Sequence, residues 1–382
     1  MALLKKWTML LPAGALLAAA ACNGGASVPP TAAGGAPGSQ LSSFDSNFAS
    51  PQDNTSILKG LTKDVVIAST VDPTNGDSGP HSIAVASTSY GTLKKGYLTF
   101  CNFSDSSGNA GKGTTVDYVQ PKPSSKAATF AQSSDIAGCA GDTVTTGNDV
   151  FAAGLTSKLL TQFGDTGKTI KTWNFKGPFS PVDASNKQLY AAEYIFTGDV
   201  KNGTITSFSI NYYGNQKPLQ VISGFAVNKK PGWSALGPTG LQYFPKKDTL
   251  YAVDGVDNTV VSFNHASELL VADEIVVQKG GKTFKCKYPK TTCGTLVYSG
   301  SPLNAPVAMA VLPNGNLVVA NSAGGNTLVE IDTSTGKVLD TKVVDTSKTA
   351  GVFGLLATGT KDSNTVLYYT DANTNTLHEL EP

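Results

Sequence analysis

"GPTGLQYFPKKDTLYAVDGVDNTVVSFN", Gly237 to Asn264, decides the fold. An apolar strand opens just after a Gly-Pro pair and stops at "PKKD". A second strand, "TLYAVD", closes on an acid, and "GVDN" makes a polar turn. A third strand then begins with Thr259. Nothing in the stretch has a helical period, and β-branched and aromatic residues fill each run.

The same order recurs along the chain. "APVAMAVLPNGNLVVANSAGGNTLVEIDTSTGKVL" runs from Ala305 to Leu339, and "GVFGLLATGTKDSNTVLYYTDANTNTLHELEP" closes the sequence at Pro382. Looser copies begin at Gly79 and Gly177, and the weakest surrounds "GNDVFAAGLTSKLLTQFGDTGKTIKTWNF", whose opening strand is unclear. Aligned, the second strand ends at Asn102, about Gly154, Glu193, Asp254, Asn321 and Asp371. Three or four short strands repeating every 40–65 residues or so are the mark of a β-propeller. Six copies predict an all-β, six-bladed ring. The last copy supplies three strands, and "KGLTKDVVIAST", Lys59 to Thr70, is an unassigned strand near the N-terminus. Pairing it with the last blade closes the ring and removes two open edges.

The order of Gly237 to Phe263 resembles the NHL-repeat and YVTN-type propeller families. That resemblance covers most of the chain beyond residue 57 and implies fold more than activity.

The remaining 56 residues read as an address and a tether. Lys5 and Lys6 precede an apolar run, Trp7 to Ala21, too short to span a bilayer comfortably, so residues 1–21 are expected to be a signal peptide. Ala19, Ala20 and Ala21 before Cys22 resemble the bacterial lipobox, although a leucine is usual where Ala19 stands. That resemblance implies lipidation of Cys22, a membrane held through the lipid, and an exported protein of the bacterial envelope. Asn23 after the cysteine, by resemblance to the enteric sorting rule, favours the outer membrane. Residues 22–56 are rich in Gly, Ala, Pro and Ser and read as a flexible tether, leaving residues 57–382 as one propeller domain.

Export permits disulfides. Cys101, Cys139, Cys286 and Cys293 allow three pairings, and nearest neighbours are preferred because "CKYPKTTC" has the length of a closed surface loop. With 29 basic and 28 acidic residues the chain has no charge excess to favour nucleic acid, and no local basic cluster is expected. "GNAGKGTTV", Gly108 to Val116, fails the phosphate-loop pattern because Gly113 follows Lys112 and a strand follows the glycines. It reads as an enlarged hairpin turn.

Six-bladed lactonases of the gluconolactonase type, which this architecture resembles, hold a metal near the channel with Glu, Asn and Asp. That resemblance makes Glu193, Asp254, Asn321 and Asp371 metal candidates, with a hard cation such as calcium as the cofactor to consider. Capping of their own hairpins is the simpler role, so no metal and no cofactor is favoured. His81 in "GPHSIAV" faces the channel mouth on this reading, while His265 and His378 are scattered. Tyr212, Tyr213 and Trp233 lie in an unusual aromatic connector and are candidate binding residues. No hydrolase motif appears. The expectation is a monomeric binding or scaffolding module for a protein or glycan, with a metal-dependent, lactonase-like hydrolase as the alternative.

Overall fold

The computed structural model describes residues 55–184, 193–210 and 217–382, and residues 51–382 form one compact unit. A single helical turn, α1 (Ile57–Gly60), leads into β1 (Lys63–Ser69). Blade one follows as β2 (Ser78–Val85), β3 (Leu98–Ser104), β4 (Thr115–Val119) and β5 (Ala128–Gln132). Blade two comprises β6 (Cys139–Val144), β7 (Val150–Gly154), β8 (Leu159–Phe163) and β9 (Thr169–Asn174). Blade three holds β10 (Pro178–Asp183), β11 (Glu193–Asp199), β12 (Thr204–Ile210) and β13 (Leu219–Ser223). Blade four has β14 (Pro238–Phe244), β15 (Thr249–Asp254) and β16 (Thr259–Asn264), then an inserted pair, β17 (Ile275–Val277) and β18 (Phe284–Cys286), before β19 (Gly294–Ser299). Blade five is β20 (Pro306–Val311), β21 (Leu317–Asn321), β22 (Asn326–Asp332) and β23 (Lys337–Asp345). Blade six is β24 (Val352–Thr358), β25 (Val366–Asp371) and β26 (Thr376–Glu381), completed by β1.

The expected six-bladed propeller is therefore the fold, and the ring closes as expected. Strand β1 runs antiparallel to β26, with Asp64 opposite Leu380 and Ala68 opposite Leu377. One detail differs: Lys59 and Gly60 belong to α1, not to the strand. Glu330, fully buried on β22, explains why the chain turns there. Its carboxylate accepts Ser56 Oγ at 2.6 Å and the Leu58 amide at 2.8 Å, holding the helix start. Ile57, Leu58 and Leu61 then sink between blades five and six. The N-terminal segment is thus fixed twice, by a strand and by a buried strap.

The core is not one mass but six wedges between neighbouring blades, plus one cluster on the axis. Tyr251, Val253 and Val260 of blade four, for example, meet Met309, Leu317 and Val319 of blade five. This explains the sequence pattern. Middle strands such as β15 and β21 are covered on both faces and are buried at every position, so they read as continuous apolar runs. Outer strands such as β9 and β23 mix exposed and half-buried positions.

Both preferred disulfides are present, Cys101–Cys139 and Cys286–Cys293. The first joins β3 of blade one to the start of β6, so it staples two blades together. The glycine-rich Gly108–Val116 stretch connects β3 to β4, with Gly108 and Gly111 at φ +78° and +82°, and a strand follows it. It is a hairpin turn, as read.

Candidate functional site

Strand directions define two faces of the ring. Each inner strand starts on the upper face, where the second strand ends and the third begins. The six openings share one motif: Gly79-Pro80-His81-Ser82, Gly138-Cys139-Ala140-Gly141, Gly177-Pro178-Phe179-Ser180, Gly237-Pro238-Thr239-Gly240, Ala305-Pro306-Val307-Ala308 and Gly351-Val352-Phe353-Gly354. In all six the pairing register slips just beyond the second residue or the third, a β-bulge that re-aims the chain.

Two consequences follow. The fourth residue is small because neighbouring blades touch there. A Cβ on Gly141 would lie 2.7 Å from the Ser180 amide, and one on Gly354 would lie 2.5 Å from the Ser82 carbonyl. The third residue, at the register slip, is buried in every blade. In blades one, three and six these residues meet across the axis. The His81 ring stacks on Phe353 at 4.1 Å and on Phe103 of β3 at 4.6 Å, and it stands edge-on to Phe179 at 6.4 Å. Blades one and three are not neighbours, so the last contact spans the channel. Ala140, Leu155, Val200 and Ala235 fill in around Phe103 and Phe179. Trp233, on the connector from blade three to blade four, stands edge-on to Phe353 at 6.4 Å and is 42% exposed. The upper mouth is therefore an aromatic plug with one half-exposed tryptophan on its rim.

His81 is 2% exposed and its Nδ1 has no hydrogen-bond partner. Burial drives its pKa down to about 3, so the ring is neutral and behaves as a third aromatic in the stack. That makes it a poor proton shuttle at neutral pH.

The polar ends of the second strands do other work. Registers against the inner strands set the equivalent positions as Asn102, Gly154, Asp199, Asp254, Asn321 and Asp371. Glu193 is not one of them and is replaced by Asp199. It begins β11 at the lower face, where its carboxylate accepts the Thr146 amide at 2.7 Å. Asp199 Oδ1 accepts the Lys201 and Asn202 amides, and Asp254 Oδ1 accepts those of Val256 and Asp257. Asp371 Oδ1 accepts the Asn373 amide at 2.8 Å. Asn321 receives the Asn304 amide and donates to the Pro302 carbonyl. These are Asx-type caps on local turns. Burial raises Asp254 to about 6.

One acidic pair lies beside blade one. Asp117 on β4 is fully buried and accepts from Asn102 Nδ2 at 2.9 Å. Burial, then Asp72, pushes it up to about 10. Burial also works to raise Asp72, but hydrogen bonds from Asp117, Thr129 and the Thr74 and Asn75 amides outweigh it and hold that carboxyl below its usual range. Asp117 thus carries the proton and Asp72 the charge. Among the described residues no three His, Cys, Asp or Glu side chains are arranged to hold a metal ion. A divalent cation of the kind the lactonase resemblance implies would compete with the rings on the axis; most of the nearby oxygens are used in turns, while Asp254 Oδ2 and Asn102 Oδ1 are buried without a hydrogen-bond partner.

The remaining expectations divide. His265 and His378 lie apart from the mouth; His378 Nδ1 meets Asp64 at 2.9 Å and Tyr369 Oη at 3.0 Å, across the ring closure. Cys22, Tyr212 and Tyr213 fall outside the described residues. The expectation of no local basic cluster is overturned: "KGGKTFKCKYPK" places five exposed lysines between Lys279 and Lys290.

No protein-family model matches the chain, and no curated protein matches it. Solved structures do. A gluconolactonase from Xanthomonas campestris is 12% identical, with a TM-score of 0.51 covering 80% of this chain and 86% of that one. A protein of unknown function from Bacteroides thetaiotaomicron is also 12% identical, with a TM-score of 0.52 covering 83% of this chain and 75% of the other. Similarity at this identity establishes a shared propeller fold.

Proposed function

We propose that the protein is a recognition module rather than a channel enzyme. It is exported, lipid-anchored through Cys22 at the bacterial envelope, and presents its upper face to a protein or glycan. The carrying observation is the plug of His81, Phe103, Phe179 and Phe353, whose rings pack together on the axis at the upper mouth. With the axis filled, recognition falls to the rim, where Trp233 offers a half-exposed aromatic face. The Gly/Ala/Pro-rich composition behind Cys22 suits display at a distance from a bilayer. The likeness to NHL-type propellers belongs to this reading as well.

The other reading is a metal-dependent, lactonase-like hydrolase. In its favour is the fold shared with the Xanthomonas gluconolactonase; against it stands the donor set at the axis. Two measurements separate them. Lactone hydrolysis is assayed with calcium, manganese or zinc added, and no rate above buffer is expected. Recovery of an envelope partner is compared between wild type and Trp233→Ala, with the variant expected to lose it. Metal-stimulated lactone turnover that Trp233→Ala leaves intact would reverse the assignment.

A further inference from the structure

The connector from third to fourth strand spans residues 164–168 in blade two and 333–336 in blade five, but 265–293 in blade four. The ring needs no such length, and long structured insertions usually carry function. This one is rigid. Strand β17 adds in parallel to β13, with Ile222 opposite Ile275, so blade three becomes a six-stranded sheet ending at β18. Ile275 and Val277 enter the wedge between blades three and four. Glu274, 1% exposed, ties the base together by accepting the Leu270 and Val271 amides at 3.1 Å and the Thr292 hydroxyl. The Cys286–Cys293 disulfide closes the far loop.

On this scaffold Lys279 and Lys282 occupy the hairpin tip, Lys285 lies on β18, and Lys287 and Lys290 follow in the disulfide loop. All five are exposed, and none makes an ion pair among the described residues. No acidic residue lies between Ile275 and Cys293. Guarding the free edge of a sheet explains one lysine, Lys285. It does not explain two at a tip and two in a loop, where there is no edge to guard.

We propose that this hairpin is a docking site for an anionic polysaccharide. In chain order the lysines run from the tip, along β18, into the disulfide loop, a succession that suits a linear polyanion better than the flat plane of a bilayer. Lysine ammonium groups are point charges without the planar fork that fixes one phosphate geometry, so they tolerate varied carboxylate spacing. Tyr288, 50% exposed between Lys287 and Lys290, offers a ring for a sugar to stack on. The site is separate from the channel mouth and does not depend on the role proposed there.

Residues 51–382 contain every strand of the ring and its closure, and serve as the test protein. Immobilised polygalacturonate is the probe, with neutral dextran and phosphatidylglycerol vesicles alongside. Wild type is expected to bind polygalacturonate and not dextran, and to lose roughly tenfold in affinity between about 50 and about 300 mM salt. Replacing all five lysines (Lys279→Gln, Lys282→Gln, Lys285→Gln, Lys287→Gln, Lys290→Gln) is expected to weaken binding by more than about tenfold at unchanged Tm. Tyr288→Ala, with the lysines intact, is expected to weaken it about threefold. Absence of polygalacturonate binding overturns the proposal. So does binding that survives the five substitutions, or a preference of wild type for the vesicles.

Discussion

The plugged mouth and the blade-four hairpin treat polar chemistry in opposite ways. At the mouth, residues from blades one, three and six converge on the axis, and the one titratable ring is buried and held neutral between two phenylalanines. On the hairpin, unpaired charge is gathered on a strand and two turns that the ring could do without. Closing a channel and displaying a surface are different tasks, and a propeller can assign them to different parts because each blade tolerates long loops. The mouth should therefore govern stability, and the hairpin binding.

The sharpest way to break that division is to remove each region's disulfide. Cys101–Cys139 closes 38 residues and joins two blades behind the mouth. Replacing both cysteines by alanine is expected to cost about 4 kcal/mol on loop-entropy grounds. Cys286–Cys293 closes seven residues inside the insertion, and the same change there is expected to cost about 2.4 kcal/mol at most. Chemical denaturation of the two double variants compares them directly. Equal losses would mean that the insertion is part of the ring's cooperative unit.

Side chains give the next contrast. Phe353→Ala opens a cavity against His81 and Trp233 and is expected to cost about 3 kcal/mol. Tyr288→Ala on the hairpin is expected to change stability by less than about 0.5 kcal/mol. A third test uses pH. The His81 pKa falls in the folded protein, from an ordinary 6.5 to about 3. Its contribution is fully present above the unfolded value and is lost as pH falls towards the folded one. His81→Phe keeps an aromatic ring in the stack and removes the titration. At pH 7.5 the two proteins should be similar in stability, while at pH 4.5 the variant should be more stable by about 2.5 kcal/mol. Asp142 and Asp254, each raised to about 6 by burial, shift stability in the opposite direction over that range in both proteins. The difference between the two proteins, not either profile alone, is the measure. Parallel profiles would show that His81 is not buried neutral.

The ring was legible because each wedge needs continuous apolar strands, and runs such as "LVVAN" at Leu317–Asn321 announce them. Glu193 was misplaced for a specific reason: "LYAAE" at Leu189–Glu193 imitates "LYAVD" at Leu250–Asp254. Only the register, with Asp199 opposite Pro178, reveals the true equivalent. The plug stayed hidden because His81, Phe179 and Phe353 are far apart in sequence and meet only when the ring closes. A signal existed in the third residue of each blade-opening motif, which lists the axial side chains in order. The α1 strap had no such signal, since Glu330 lies about 270 residues beyond the amides it receives. The lysine cluster was plainly readable, but overall charge balance masked it.

Glu274→Gln should have the smallest global effect and the most local one. The carboxylate is buried beneath the hairpin and accepts two amides and a hydroxyl, and bonds to a charged acceptor are stronger than those to a neutral amide. Replacing it weakens the joint between residues 270–274 and the disulfide loop while leaving the six wedges untouched. The global unfolding midpoint is expected to move by less than about 1 kcal/mol equivalent. Amide exchange of Leu270, Val271 and Lys287, whose N–H bonds to the Glu274 carbonyl at 2.9 Å, should accelerate about tenfold as the insertion opens locally. Polygalacturonate affinity should fall with it, because five lysines that repel one another bind a linear polyanion best when their spacing is fixed in advance. Faster exchange with unchanged affinity would mean that charge alone governs binding. Slower binding with unchanged exchange would place the effect outside the hairpin's rigidity.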